Sequence, residues 1–313
     1  MLVALCGGVG AARMLAGLVQ VLPPQDITAI VNVGDDMVLH GLHISPDLDT
    51  VTYTLAGLDN RETGWGVAGE SWNVMAELEV LGGESWFRLG DKDLATHLFR
   101  TERLRAGEPL SAVTASLAAR RGIGVRLLPV TDDPLRTRLT LAEPSALGPA
   151  GTEVAFQDYF VRLHHGVAVS AVRFDGAASA APAPGVLEAL AEAGRIVVCP
   201  SNPIVSIGPL LALPEVRAAL EARRPDVIAV SPIVAGAALK GPADRLMREL
   251  GSDASVVGVA ELYSSWVRAL VIDEADAAQA PAVAASGLEC VVAPTVMHSP
   301  EAAAALARAV LDA

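Results

Sequence analysis

The residues with chemistry to offer gather in a few short loops. Gly7-Gly8-Val9-Gly10 lies between an apolar run and a helical spacing of apolar residues. Glycines at such a junction let backbone N–H groups approach a phosphate, and the helix start adds its positive end. The plain alternative is a tight strand-to-helix turn. Asn32-Val33-Gly34-Asp35-Asp36 ends the next apolar run, and Ser45-Pro46-Asp47-Leu48-Asp49-Thr50 follows. The four carboxylates of Asp35, Asp36, Asp47 and Asp49 suit a hard divalent cation or sugar hydroxyls. The alternative is solvated turn residues and a helix cap.

Three further loops add polar groups. Trp86-Phe87-Arg88-Leu89-Gly90-Asp91-Lys92-Asp93 sets a guanidinium among aromatics and carboxylates. Arg88 can clamp an anionic or planar group, while Asp91 or Asp93 can simply cap the helix that follows. Ser201 and Asn202, in Cys199-Pro200-Ser201-Asn202-Pro203, can hydrogen-bond a base or phosphate. Lys240, beyond Ser231-Pro232-Ile233-Val234, is a point charge for phosphate. Several chemistries are disfavoured. Arg13 stands where a dinucleotide fingerprint wants a small residue, and no Gly-Lys-Ser/Thr follows the glycines. There is no HExxH, no Cys/His metal spacing and no GxSxG elbow.

The elements that must position these loops alternate. Leu2–Cys6 predicts a buried parallel strand. Met14, Leu15, Leu18, Val19 and Leu22 predict a helix that Pro23-Pro24 ends. Ile27–Val33 predicts a second strand, hence a β–turn–α–β start. Residues 40–90 predict functional loop with helical pieces at 49–57 and 70–81. Residues 93–121 predict helix, and 125–173 strands around Phe156–Arg162. After an Ala/Pro/Gly loop at 176–185, helices are predicted at 186–193, 204–213, 213–223, 242–250 and 301–312. Strands are predicted at 195–199, 226–232, 254–259 and 289–294. The fold class expected is α/β, a doubly wound Rossmann-like parallel sheet with a central mixed insertion lobe. Residues 1–90 and 176–313 form its nucleotide-binding core. Residues 91–175 form the lobe over an active site at the carboxyl ends of the strands.

Composition narrows the partners. The 313 residues are 52% hydrophobic and 19% charged, enough for a large core. Aromatics make up 4% and the net charge is −13, which disfavours a nucleic-acid partner. Cys6, Cys199 and Cys290 read as buried thiols in a reducing cytosol. The apolar start is too short and too glycine-broken for a signal peptide, and no membrane-spanning run is present. A cytoplasmic protein with no membrane partner is expected.

Taken in order, GGVGAARMLAGL, NVGDD, SPDLDTVTYTLAG, WFRLGDKDLATHLFRTERL, FQDYFVR, CPSNPIVSIGPLL and AVSPIVAGAALKGPADRLM resemble the motifs of the 2-phospho-L-lactate transferases. The resemblance runs from about residue 2 to the C-terminus. It implies an enzyme of coenzyme F-420 biosynthesis that requires Mg²⁺ and forms a homodimer. Such an enzyme moves a phospholactyl or phosphoenolpyruvyl group from a guanosine-diphosphate-linked donor. The acceptor is 7,8-didemethyl-8-hydroxy-5-deazariboflavin, and GMP is released. The family's deazaflavin contacts fall on Asp49 and Arg88. On this reading Gly7, Gly8, Gly10, Ser201, Asn202 and Lys240 serve the guanosine diphosphate moiety. Asp36 and Asp49 are the metal candidates, either able to take the attacking proton. Two other readings stay open: a non-catalytic nucleotide-sugar-binding regulator, and a nicotinamide oxidoreductase. The choice between phospholactyl and enolpyruvyl donors is open too, although the alanine-rich composition hints at a bacterial source and hence an enolpyruvyl donor.

Overall fold

Strand β1 (Leu2–Cys6) is buried at every residue, as a central parallel strand with both faces covered must be. Helix α1 (Gly8–Leu18) returns the chain to β2 (Ile27–Val31). A hairpin of β3 (Met37–Leu39) and β4 (Leu42–Ile44) leads into α2 (Pro46–Leu55), followed by α3 (Asn73–Val80). Next come α4 (Asp91–Arg105), α5 (Leu110–Arg120) and β5 (Arg126–Pro129). The second half supplies β9 (Arg195–Val198), β10 (Val227–Val230), the two-residue strands β11 (Ile233–Val234) and β12 (Ala237–Ala238), then β13 (Ala269–Ile272) and β14 (Glu289–Val292). Between them lie α6 (Val186–Glu192), α7 (Gly208–Leu211), α8 (Pro214–Ala222), α9 (Ala243–Glu249), α10 (Val256–Tyr263), α11 (Ala280–Ala285) and the closing α12 (Pro300–Asp312). Seven strands form one sheet in the order β14-β13-β10-β9-β1-β2-β5, and every pair is parallel. The fold class expected from the sequence is the one observed. This computed structural model describes residues 1–60 and 65–313, so residues 61–64 of the expected functional loop lie outside the described residues.

A second sheet stands apart from the first. Strands β6 (Arg136–Leu141), β7 (Glu153–Ala155) and β8 (Val169–Asp175) pair antiparallel in the order β7-β6-β8. Alternate residues of β6 are buried, the pattern of a sheet wet on one face. They pack with Tyr159, Val205 and Leu246 in a small separate core. The expected boundary at residue 91 needs correction. Strand β5, inside the 91–175 segment, pairs with β2 at the edge of the main sheet. Its Leu127 and Leu128 join the main core. A buried parallel strand needs apolar residues on both faces, and Val125–Val130 supplies them.

Other differences have local causes. The 93–121 helix is two helices, because Gly107 takes φ +88° and Pro109 follows. The 254–259 strand is the start of α10. Ser255 Oγ accepts the Val257 and Gly258 amides, and that cap outweighs the valines' β preference. The expected 204–213 helix is a π-turn at Pro203–Ile207 followed by α7. Strand β13 was not expected. Helix α2 starts three residues earlier than expected, with Pro46 in its first turn. Asp47 and Asp49 therefore sit within that turn, where the helix dipole favours carboxylates.

Candidate active site

Strand β1 has β2 on one side and β9 on the other, so the chain winds away from it in both directions. The crevice at the carboxyl ends of β1 and β9 is the place where such sheets bind ligands. Its two lips are stitched together. The Gly7 amide donates to Ser201 Oγ at 3.2 Å, and Ser201 Oγ donates to the Gly7 carbonyl at 2.8 Å. Beneath them Cys6 and Cys199 are buried free thiols 3.7 Å apart, and Cys290 is half-buried.

Each glycine of the turn has a steric reason. A Cβ on Gly7 would collide with Ser206, and one on Gly10 with the Pro200 carbonyl oxygen. Gly8 takes φ +71°, a left-handed conformation that glycine adopts freely. Its amide donates to Asp47 Oδ1 at 2.7 Å. The amides of Gly7 and Gly8 thus already meet side-chain oxygens, so close packing explains these glycines without a phosphate. The later amides of the first turn of α1 are where an anion would find the helix's positive end.

Asp35, Asp36, Asp47 and Asp49 are all buried, which removes the solvated-turn alternative. Asn32 organises the first group. Its Nδ2 donates to Asp47 Oδ2 at 2.9 Å and to Asp35 Oδ1 at 3.5 Å, while its Oδ1 accepts the Gly34 amide at 2.8 Å. Gln157 reaches in from beside the second sheet and donates to Asp35 Oδ2 at 3.2 Å. Burial pushes the Asp47 carboxyl up to about 6; donation from Asn32 and Gly8 offsets this in part, and the charge of Asp36 adds to it. Burial, then Asp47 and Asp36, hold Asp35 well above the usual carboxylate range. Asp36 Oδ2 accepts Ser45 Oγ at 2.8 Å and faces His43 Nε2 at 3.0 Å. Among the described residues, Asp36 Oδ1 is buried without a hydrogen-bond partner.

Asp49 points into the interface between α2 and α4. Both of its oxygens accept from Arg100, Nη2 to Oδ1 and Nη1 to Oδ2 at 3.1 Å. His97 Nδ1 lies 3.7 Å from Asp49 Oδ2, and His97 Nε2 lies 3.2 Å from Asp93 Oδ2. Tyr53 donates to Asp93 Oδ1 at 2.5 Å. Asp49, Asp93 and His97 place three ligand atoms within 4.8 Å of one another, a possible metal triad that Asp36 does not join. Sequence reasoning offered Asp93 only as one of two candidates for a helix cap and assigned nothing to His97 or Arg100. Their i, i+4, i+7 spacing along one face of α4 was the available signal.

The remaining candidates scatter. Asn202 Oδ1 accepts the Ile204 and Val205 amides at 2.9 and 3.3 Å, capping its own turn. Lys240 is exposed; partial burial and then Arg13 lower its pKa. Arg88 is exposed and lies over the Trp72 ring, 4.5 Å from its centroid. The structure therefore gathers Gly7, Gly8, Gly10, Ser201, Asp36 and Asp49 around the crevice and its acidic flank, while Arg88 and Lys240 sit on outer loops.

Known proteins bear on this arrangement. The chain is 46% identical to a phosphoenolpyruvate transferase of Kitasatospora aureofaciens, over 99% of this chain and 96% of that protein. A phosphoenolpyruvate transferase of Streptomyces coelicolor is 45% identical, over 99% and 97%. One of Mycolicibacterium smegmatis is 40% identical, over 98% and 97%. Among solved structures, protein BH3568 of Bacillus halodurans, of the UPF0052 family, superposes with a TM-score of 0.61 at 16% identity. The match covers 99% of this chain and 98% of that one, and it speaks for the fold alone. The model of the family described as 2-phospho-L-lactate transferase CofD matches residues 2–296. With that match and these relatives, the chain belongs to the CofD family of transferases.

Proposed function

We propose that this protein transfers a phosphoenolpyruvyl group from a guanosine-diphosphate-linked donor to the terminal ribityl hydroxyl of 7,8-didemethyl-8-hydroxy-5-deazariboflavin, releasing GMP in coenzyme F-420 biosynthesis. The observation that carries the reading is the near full-length identity of 40–46% to relatives named phosphoenolpyruvate transferase. The buried acidic crevice at the sheet's reversal point supports it.

In the step proposed, the hydroxyl oxygen bonds to the phosphorus nearest the enolpyruvyl group. The bond from that phosphorus to the GMP phosphate oxygen breaks, and GMP leaves. Asp36 or Asp49 takes the hydroxyl proton. Asp36 Oδ1, buried and unpartnered, has a free acceptor for that role. The first turn of α1, with Ser201 and Asn202, holds the guanosine diphosphate moiety. Arg88, already stacked on Trp72, positions the planar deazaflavin ring from the rim. The acidic groups also fit a hard divalent cation, Mg²⁺ in this reading. They offer buried carboxylate oxygens, one of which lacks a partner. Asp49, with Asp93 and His97 beside it, would hold the ion, which when bound supplies positive charge to the phosphoryl oxygens.

The test is turnover of deazaflavin with enolpyruvyl and phospholactyl donors in parallel, with products scored by mass. The enolpyruvyl product should dominate. Turnover of neither donor, or no change in deazaflavin fluorescence on adding the protein, would remove the reading. Enzyme treated with EDTA should lose activity and regain it with Mg²⁺; full activity after treatment would dismiss the cation.

A further inference from the structure

Helix α4 presents Asp93, His97 and Arg100 at spacing i, i+4, i+7, and α2 answers with Asp49 and Tyr53 at i, i+4. Arg100 is 1% exposed, an unusual depth for a guanidinium. Both of its terminal nitrogens go to Asp49. Its Nη1 also reaches the His43 carbonyl oxygen and His97 Nδ1, each at 3.3 Å. With His97 Nδ1 accepting, the ring proton lies on Nε2, which is 3.2 Å from Asp93 Oδ2 but not aligned for a hydrogen bond with it. Asp93 in turn is held by the Tyr53 hydroxyl.

Stability alone does not account for this chain of contacts. Apolar residues of similar volume usually serve a buried interface as well as an ion pair does. Among the described residues, Arg100 Nε even remains buried without a partner. What the fork does, and apolar packing cannot, is set a plane. Two parallel hydrogen bonds stop the carboxylate of Asp49 from rotating and use one lone pair on each oxygen. The second lone pair of each oxygen is left for substrate or cation.

We propose that Arg100 is a positioning residue for the transfer reaction: it fixes the carboxylate plane of Asp49 and is itself steadied by His97 and Asp93. The inference rests on the reading above, in which Asp49 meets the reacting groups. It adds Arg100, which touches neither substrate nor donor and acts only through Asp49.

The test is Arg100→Lys, which keeps the charge and loses the fork. Replacing a partner that orients a ligand-bearing side chain costs about 10- to 100-fold in activity, so kcat should fall by about that factor. Donor KM and thermal midpoint should stay close to the parent's. A crystal structure of the variant should show the Asp49 carboxylate rotated or in two orientations. Unchanged kcat overturns the proposal, and so does a lower thermal midpoint with kcat of the folded enzyme unchanged. Should Arg100→Lys not fold, His97→Ala takes its place. It should lose activity that His97→Gln restores, because the amide can both accept and donate. Parent-like rates in both His97 variants overturn the proposal. A parent enzyme inactive with both donors would remove the transferase reading, yet the Asp49 orientation in the variant crystals would still decide this one.

Discussion

Two buried aspartates at the same edge of the sheet are treated in opposite ways. Asp273 follows β13 and accepts the Ala275 amide, the Thr295 amide and Thr295 Oγ1 at 3.0, 2.8 and 3.0 Å. Burial raises its pKa, but those donors outweigh burial and hold the carboxyl below its ordinary value. Asp47, in the first turn of α2, has two donors and acidic neighbours, and burial carries it up to about 6. The first is a structural acid whose lone pairs close a turn. The second belongs to a crowd of acids that each make the others harder to ionise. Such crowding costs stability. The wider halves differ in the same way. After β9 and β10, Asn202 and Ser231 bond their own turns. After β1 and β2, the bonds run between distant elements, from Gly8 to Asp47 and from Arg100 to Asp49.

Substitutions on each side should separate function from stability. The largest effect is expected at Asp49→Asn, with kcat down by about 10²-fold or more if the carboxylate takes the proton or holds the cation. Turnover near the parent rate by a folded variant would dissolve the contrast. Asp273→Ala should do the reverse. It strands buried donors and should lower unfolding free energy by about 1–3 kcal/mol in denaturant titrations, with kcat unchanged. Asn202→Ala should cost about 1 kcal/mol as a lost cap and raise donor KM. Stability loss with KM unchanged would leave Asn202 a cap alone.

The smallest effect concerns pH. A carboxyl whose folded pKa is raised adds stability below its unfolded pKa and loses it as pH rises through the folded value. Asp47 should therefore make the parent less stable between about pH 4 and about pH 6 as pH rises. Asp47→Asn should flatten that slope, with Asp35 leaving a residue of it. Asp273 works in the other direction, its contribution fading as pH falls below the ordinary carboxylate range. An identical slope in the Asp47→Asn variant would show that the crowding does not matter.

Much of the fold was legible because its signals are local. A five-residue apolar run ending at glycines predicted a short buried strand, and β1 is where that pattern places it; the strand expected at 27–33 is observed as β2, ending at Val31. Legibility failed where a local signal was ambiguous. The valines at 256, 257 and 259 suit a strand until Ser255 caps them into a helix. Strand β13 was missed although it is as long as β9, β10 and β14, which were expected. For the site, residue types pointed to the glycine turn and the aspartates. They did not reveal that the Gly7 and Gly8 amides already have partners, or that Asp49 is held from α4. Membership of the CofD family was readable from motifs in order along the chain. Among the described residues no single helix is long and apolar enough to cross a membrane.

By itself the sequence determined the alternation of elements, the carboxyl-edge position of the loops and the chemistry they carry, since these depend on neighbours within a turn or a strand. Tertiary structure alone decided which acids share a buried space and which are satisfied. It also decided that Arg100 meets Asp49 across 51 residues. Burial and pairing arise from packing between elements far apart in the chain, and charge in a low-dielectric interior is governed by those distances.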